Sequence, residues 1–271
     1  MILLGAPLCW LQTSVLPPDG KGGLFPPLGS LVLAGAGVGV LGAVLALAGQ
    51  SAAMSGVPAD AWRPSAWWDV VTGAQFGHVW LLRLGGLVLT PVLVLWGRGP
   101  WAVRLCVGLG ALLTASLAWQ GHGNADDGAA GWVHRGADIL HLLAAAVWLG
   151  ALPVLVVLVS RARRSGLGGD ARTAWRALER FSGTGSAAVA VLTASGLING
   201  WFLVGPDHLG ALVRTPYGLG LLAKLALFAG MLGLAALHRW RATPQLAADL
   251  SHDRPPSQVL RSLELSLALE T

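Results

Sequence analysis

Seven apolar runs and the start of an eighth punctuate the chain. They span about residues 2–16, 29–54, 77–97, 100–120, 132–160, 181–204 and 216–239, and the last opens near 257. Most reach the ~20 residues that a helix needs to cross a bilayer. Strand-like alternation is absent, and Gly, Ala, Leu and Val dominate, so the pattern predicts spanning helices rather than barrel strands. The expected fold is all-α: a polytopic transmembrane bundle of about eight helices, forming one integral membrane domain over residues 1–271. The first and last runs are short, and both ends are expected to be truncated relative to a longer protein. The first run is apolar from residue 1 with no charged segment before it, so it does not read as a signal peptide.

Composition agrees. The chain is 54% hydrophobic and 11% charged, against roughly 25% charged for a soluble domain. Its 38 glycines suit close helix packing through small residues. The net charge of +5 raises the question of nucleic acid, but the basic residues sit in short stretches between apolar runs and read as topology signals. No nucleic-acid partner is expected. Cys9 and Cys106 lie in different runs, with no metal-ribbon or redox spacing, and read as isolated core thiols.

The stretches between runs set the orientation. Residues 161–180 (RARRSGLGGDARTAWRALER) carry six arginines and are expected to form a basic cytoplasmic loop, its RTAWRALERF part a short amphipathic surface helix. With Lys21, Arg98, Arg104, Arg239, Arg241, Arg254 and Arg261, one side collects thirteen basic residues, against three (Arg63, Arg135, Arg214) on the other. The positive-inside rule then puts the N-terminus outside a bacterial inner membrane. The outer side receives His78, His122, His134, His141 and His208, together with Asp60, Asp69, Asp126, Asp127 and Asp207, a composition that attracts cations. Trp67, Trp68, Trp80, Trp119, Trp132 and Trp201 form an expected outer aromatic belt, and Trp96, Trp101, Trp175 and Trp240 an inner one.

One cluster carries chemistry. His134, Asp138 and His141 open the fifth run at spacings of four and three, within roughly a 60° arc of one helix. His122 lies twelve residues upstream of His134. Imidazoles and a carboxylate on one helical face suit a transition metal; imidazole serves copper in either oxidation state, a carboxylate favours Cu(II) and a thioether Cu(I). His78 is a further candidate ligand and Met54 a soft one. Each has a plainer alternative: an interfacial histidine for His78, packing for Met54, and for Asp138 the fixing of a histidine tautomer. Arg83, Lys224 and Glu264 fall inside runs, where ionisable groups pair or line a cavity. A Lys224–Glu264 pair is possible, and Asn199 is placed to bridge helices. Trp148, Met54, Lys224 and Glu264 are the candidates for a transport path.

The stretch GHGNADDGAAGWVHRGADILHLLAAAVWLGAL (121–152) resembles the signature of the copper resistance D family: a Gly-His turn (Gly121-His122), an Asp-x-x-His pair opening a helix (Asp138, His141), then Trp-x-Gly (Trp148, Gly150). SGLINGWFLVG (195–205) with TPYGLGLLAKLALF (215–228), and RSLELSLALE (261–270), resemble its later blocks. The turn departs from the family pattern, reading His-Gly-Asn in place of His-Ala-Ala. The resemblance implies copper handling at the bacterial inner membrane, with copper ions as cargo and a periplasmic copper-binding protein as partner.

Two functions compete. One is a copper permease or copper-homeostasis protein, not an enzyme; with no P-loop or phosphorylated-Asp motif, any transport is passive or ion-coupled. The other is a haem b cytochrome using the same histidines as axial ligands. Haem across a bilayer needs histidine pairs on facing helices, whereas these histidines crowd one side. Purified protein is expected to show copper binding and no Soret band in its visible spectrum; a Soret band without copper binding would reverse the choice.

Overall fold

The computed structural model describes residues 1–13, 26–73, 75–97, 100–120, 128–166, 168–205, 210, 212–252 and 256–270. The described residues are helical throughout, with no strand. The order is α1 (Ile2–Thr13), α2 (Pro26–Ser55), a 3₁₀ turn (Pro58–Trp62), α3 (Pro64–Gly73), α4 (Gln75–Trp96), α5 (Pro100–Ala115), a second 3₁₀ turn (Ser116–Gln120), α6 (Gly128–Ser165), α7 (Gly168–Leu203), α8 (Pro216–Leu237), a π-helical turn (His238–Ala242), α9 (Thr243–Ser251) and α10 (Ser257–Glu270). Among these, α2, α4, α5, α6, α7 and the α8–α9 segment are long and apolar enough to cross a membrane. The protein is a multi-pass membrane bundle, as the hydropathy pattern predicts, with shorter helices at each end.

Helix α1 runs through the middle of the bundle. Its Ala6, Cys9 and Trp10 join a core with Val103 and Cys106 of α5 and Trp148, Ala151 and Leu152 of α6. Both cysteines are free and buried. Side-chain volume is absent where the backbones cross. A Cβ on Gly5 would come within 2.6 Å of the Gly150 Cα, one on Gly150 within 2.9 Å of the Gly5 Cα, and one on Gly110 within 2.8 Å of the Leu4 backbone nitrogen. Apolar side chains gain nothing over lipid by leaving lipid, so dispersion between closely approaching backbones holds such helices together. Gly150, the glycine of the Trp-x-Gly block, serves this crossing.

Helices α6 and α7 form a long antiparallel hairpin. The chain leaves α6 through Gly166, whose φ of +62° lies in the left-handed region that favours glycine, and α7 starts at Gly168. The basic stretch 161–180 is therefore almost all helix, not a loop. RTAWRALERF does form an amphipathic helix, but one continuous with the span. Its apolar stripe, Ala171, Ala174, Ala177, Leu178 and Phe181, is buried in the core. That stripe recurs every three to four residues, so burying it extends the helix inward. Residues 64–73, expected to be an outer connection, form α3, with Trp67 donating from Nε1 to the Ala61 carbonyl at 2.7 Å.

Arg83, buried in α4, reaches the end of α5: its Nε donates to Ser116 Oγ at 2.7 Å and its Nη2 to the Ser116 carbonyl. A guanidinium here satisfies groups that the helix end leaves open, so this intramembrane charge has a structural occupation. Trp68, Trp119, Trp132, Trp201, Trp96, Trp101 and Trp240, all assigned to the belts, are exposed, while Trp80 donates from Nε1 to the Ala43 carbonyl of α2.

Replacing Gly150 by Val is expected to destabilise the protein by at least the ~1–3 kcal/mol of an overpacked core, because the added carbons meet backbone that cannot yield. Gly37→Ala, where a Cβ meets nothing within 4 Å, is expected to be neutral or stabilising by up to ~1 kcal/mol. Thermal unfolding in detergent compares the two.

Candidate functional site at the hairpin of α6 and α7

The hairpin has a simple register. His134 stacks on Phe202 with ring centroids 4.7 Å apart and planes 5° from parallel. Seven residues further along α6, His141 Nδ1 lies 3.1 Å from Ser195 Oγ, seven residues back along α7. Both pairs are symmetric about residue 168, at the turn. His134 is buried and His141 half-buried. Asp138 lies between them, half-buried. The same register puts Asn199 opposite Ala137, and its Oδ1 is buried without a hydrogen-bond partner.

The third member of this seven-residue series is Trp148, which is 3% exposed and meets Phe228 of α8 edge-on, centroids 5.9 Å apart. Below His141, toward the arginine-rich end, Trp148 lines a cavity of about 450 Å³ between α6, α7, α8, the π-helical turn and α10. Its walls are mostly apolar. At its far end Arg239 Nη1 donates to Ser182 Oγ at 2.9 Å and to Ser186 Oγ at 2.7 Å, and His238 Nε2 lies 2.5 Å from Ser266 Oγ.

Lys224 sits on α8, a helix whose apolar window is wholly unburied. It is exposed. Glu264 of α10 turns the other way. It accepts from Ser160 Oγ at 2.8 Å and forms an ion pair with Arg163. The Lys224–Glu264 pair that the sequence allowed is not among the ion pairs of the described residues. The two lie at different levels: Lys224 is in the first half of α8, and Glu264 is level with the arginine-rich end of α6. His78 is exposed at the start of α4, and Met54 is exposed at the end of α2. His122, Asp126, Asp127, Asp207 and His208 lie outside the described residues. Among the described residues, no three His, Cys, Asp or Glu side chains converge on a point that could hold a metal ion.

Comparison with known proteins decides the family. Residues 1–132 match the model described as the copper resistance protein D-like N-terminal domain, and residues 175–271 match that of copper resistance protein D. Copper resistance protein D of Pseudomonas syringae pv. tomato is 36% identical over 279 residues, covering 100% of this chain and 86% of the relative. The chain belongs to the copper resistance protein D family. Two other relatives carry related descriptions. Copper transport protein CutJ of Bacillus subtilis (strain 168) is 33% identical over 171 residues, covering 60% of this chain and 30% of CutJ. Inner membrane protein YebZ of Escherichia coli (strain K12) is 29% identical over 221 residues, covering 80% of this chain and 71% of YebZ. No solved structure matches.

Sequence reasoning named His134 and His141 but missed their α7 partners, Ser195 and Phe202. The signal was available: a helical hairpin turning at Gly166–Gly168 pairs position 134 with 202 and 141 with 195.

His134→Phe is expected to keep the stack on Phe202 and to cost less than ~1.5 kcal/mol, the usual range for a volume-conserving exchange. His134→Ala is expected to cost about 2–4 kcal/mol through the cavity it leaves. Thermal unfolding in detergent measures both, and copper affinity measured on the Phe variant separates packing from ligation.

Proposed function

We propose that this protein moves copper ions across the bacterial inner membrane. The ion is taken up on the outer side, at a site on the α6 face of the hairpin. The full-length likeness to a copper resistance protein carries this reading. Thirteen basic residues against three support an N-terminus and a metal site on the outer, periplasmic side. His141 is the central ligand. It is half-buried at the α6–α7 seam with Asp138 one turn above it, and a carboxylate beside an imidazole suits Cu(II). His122, twelve residues before His134 in the sequence, completes the proposed set, with His134 and His78 as further outer ligands and the Met54 thioether as a soft entry contact for Cu(I). A periplasmic copper-binding protein supplies the ion.

Trp148 forms the floor of this site and the roof of the inner cavity, so an ion passing along the α6 stripe must displace it. Lys224, exposed on α8, is the further residue of this path. Glu264, tied to Arg163 and Ser160, anchors α10 against α6 at the inner end of the route. Haem is disfavoured because α7, the helix that faces His134 and His141, contains no histidine to act as a second axial ligand.

Chelator competition with Cu(I) and Cu(II) on purified protein is expected to show tight binding that the His122→Ala/His141→Ala double variant loses. Wild-type affinity in that variant would sink the site. Copper flux into liposomes carrying the wild-type protein, lost in the same variant, is the expected transport result; binding without flux would point to a sensor or structural subunit.

A further inference from the structure

We infer that Ser195 is a positioning residue: it holds His141 with its proton on Nδ1, so that the bare nitrogen offered to a metal ion is Nε2. The inference rests on the proposed role of His141 as a copper ligand. Its geometric half stands without copper.

The argument is a count of protons. A serine hydroxyl has one proton to donate and lone pairs to accept with. Ser195 is 3% exposed, which leaves little room for water to redirect it. Its Oγ donates to the Val191 carbonyl of the preceding turn at 2.6 Å, with the Leu192 carbonyl a longer alternative at 3.3 Å. Both acceptors are carbonyls of α7, and the 2.6 Å contact to Val191 is shorter than the 3.1 Å contact to the imidazole, which favours placing the proton on the helix. Toward His141 Nδ1, 3.1 Å away, Ser195 therefore presents a lone pair. A ring nitrogen facing that lone pair must carry hydrogen. In neutral imidazole the other nitrogen is then unprotonated, and a metal binds that lone pair.

The neighbourhood fixes the ring as well as its proton. A Cβ on Gly196 would lie 3.5 Å from His141 Cε1 and 3.7 Å from Nδ1, ordinary van der Waals distances, so the imidazole edge lies against α7. Metal-binding histidines commonly donate their second N–H to an acceptor that orients them. Here the acceptor comes from the facing helix, which couples ligand orientation to the α6–α7 register. Asp138, three residues before His141 on its own helix, is not needed for that task.

The experiment uses full-length protein labelled with ¹⁵N-histidine, metal-free, in detergent, at an alkaline pH where the rings are neutral. The His141 signals are identified by their loss in His141→Asn. The Nδ1–H form is expected in the wild type, with a shift toward Nε2–H in Ser195→Ala and rescue in Ser195→Thr, which keeps the hydroxyl. Nε2–H in the wild type would overturn the inference. Cu(I) affinity by chelator competition supplies the second arm. Ser195→Ala is expected to lose about 10- to 100-fold, and Ser195→Thr to stay close to wild type. If His141→Ala loses copper while Ser195→Ala binds normally, the positioning role is wrong and the copper reading survives. If His141→Ala binds normally, the copper reading of His141 fails, and with it the metal half of this inference. Circular dichroism confirms that the serine variants fold.

Discussion

A bilayer offers the polar side chains of a spanning helix few places to point, and for α6 the main one is α7. Lipid supplies no hydrogen bonds, so a histidine inside a span must find its partners within the protein. His141 meets that demand with a hydroxyl, Ser195, while His134 stacks its ring on Phe202. Both partners lie on one helix, and both pairs centre on one turn. Sliding the hairpin by a residue would break both at once. The buried core at the inner end, from Leu155 to Phe181, depends on the same alignment. Register, histidine placement and core packing are therefore a single constraint.

The glycine crossings of α1 hold this hairpin against the rest of the bundle. Gly5, Gly110 and Gly150 let α1 approach α5 and α6 closely enough for backbone to touch backbone. Arg83 performs the matching polar task, closing the end of α5 from α4. On the opposite flank α8 is loosely attached, reaching the core through Phe228 on Trp148 and through the π-helical turn.

How much of this the sequence disclosed follows from the range of each interaction. The spans were legible because hydropathy is local: an apolar run of sufficient length forms a helix whatever its neighbours. Residues 161–180 misled because six arginines mask an apolar stripe at helical spacing; charge reads as a loop when counted, and as the solvated side of a helix once the period is followed. The partner of Glu264 was out of reach, since Arg163 lies 101 residues earlier and the pairing depends on how α10 meets α6. Arg83 was recognisable as an expensive charge but not as a clamp on Ser116, for the same reason. The histidine spacing placed His134, Asp138 and His141 along one face of α6. The ligand set it suggested is not assembled among the described residues, because helical periodicity fixes direction and not what stands opposite.

That distinction bears on the chemistry. A pattern of His, Asp and His invites a reading in which all three bind one ion, yet a span of seven residues separates the two imidazoles by about 10 Å along the axis. The register gives each a different surrounding: His134 is stacked and buried, whereas His141 is half-buried and bonded through one nitrogen. Asn199, whose Oδ1 is buried without a partner, lies between them on the facing helix. An unpaired carbonyl oxygen in such a place costs free energy unless something fills it. A hard oxygen suits Cu(II) better than Cu(I). On the proposed reading, imidazole nitrogen from α6 and oxygen from α6 and α7, with no thiolate within the seam, would favour Cu(II) over Cu(I) there.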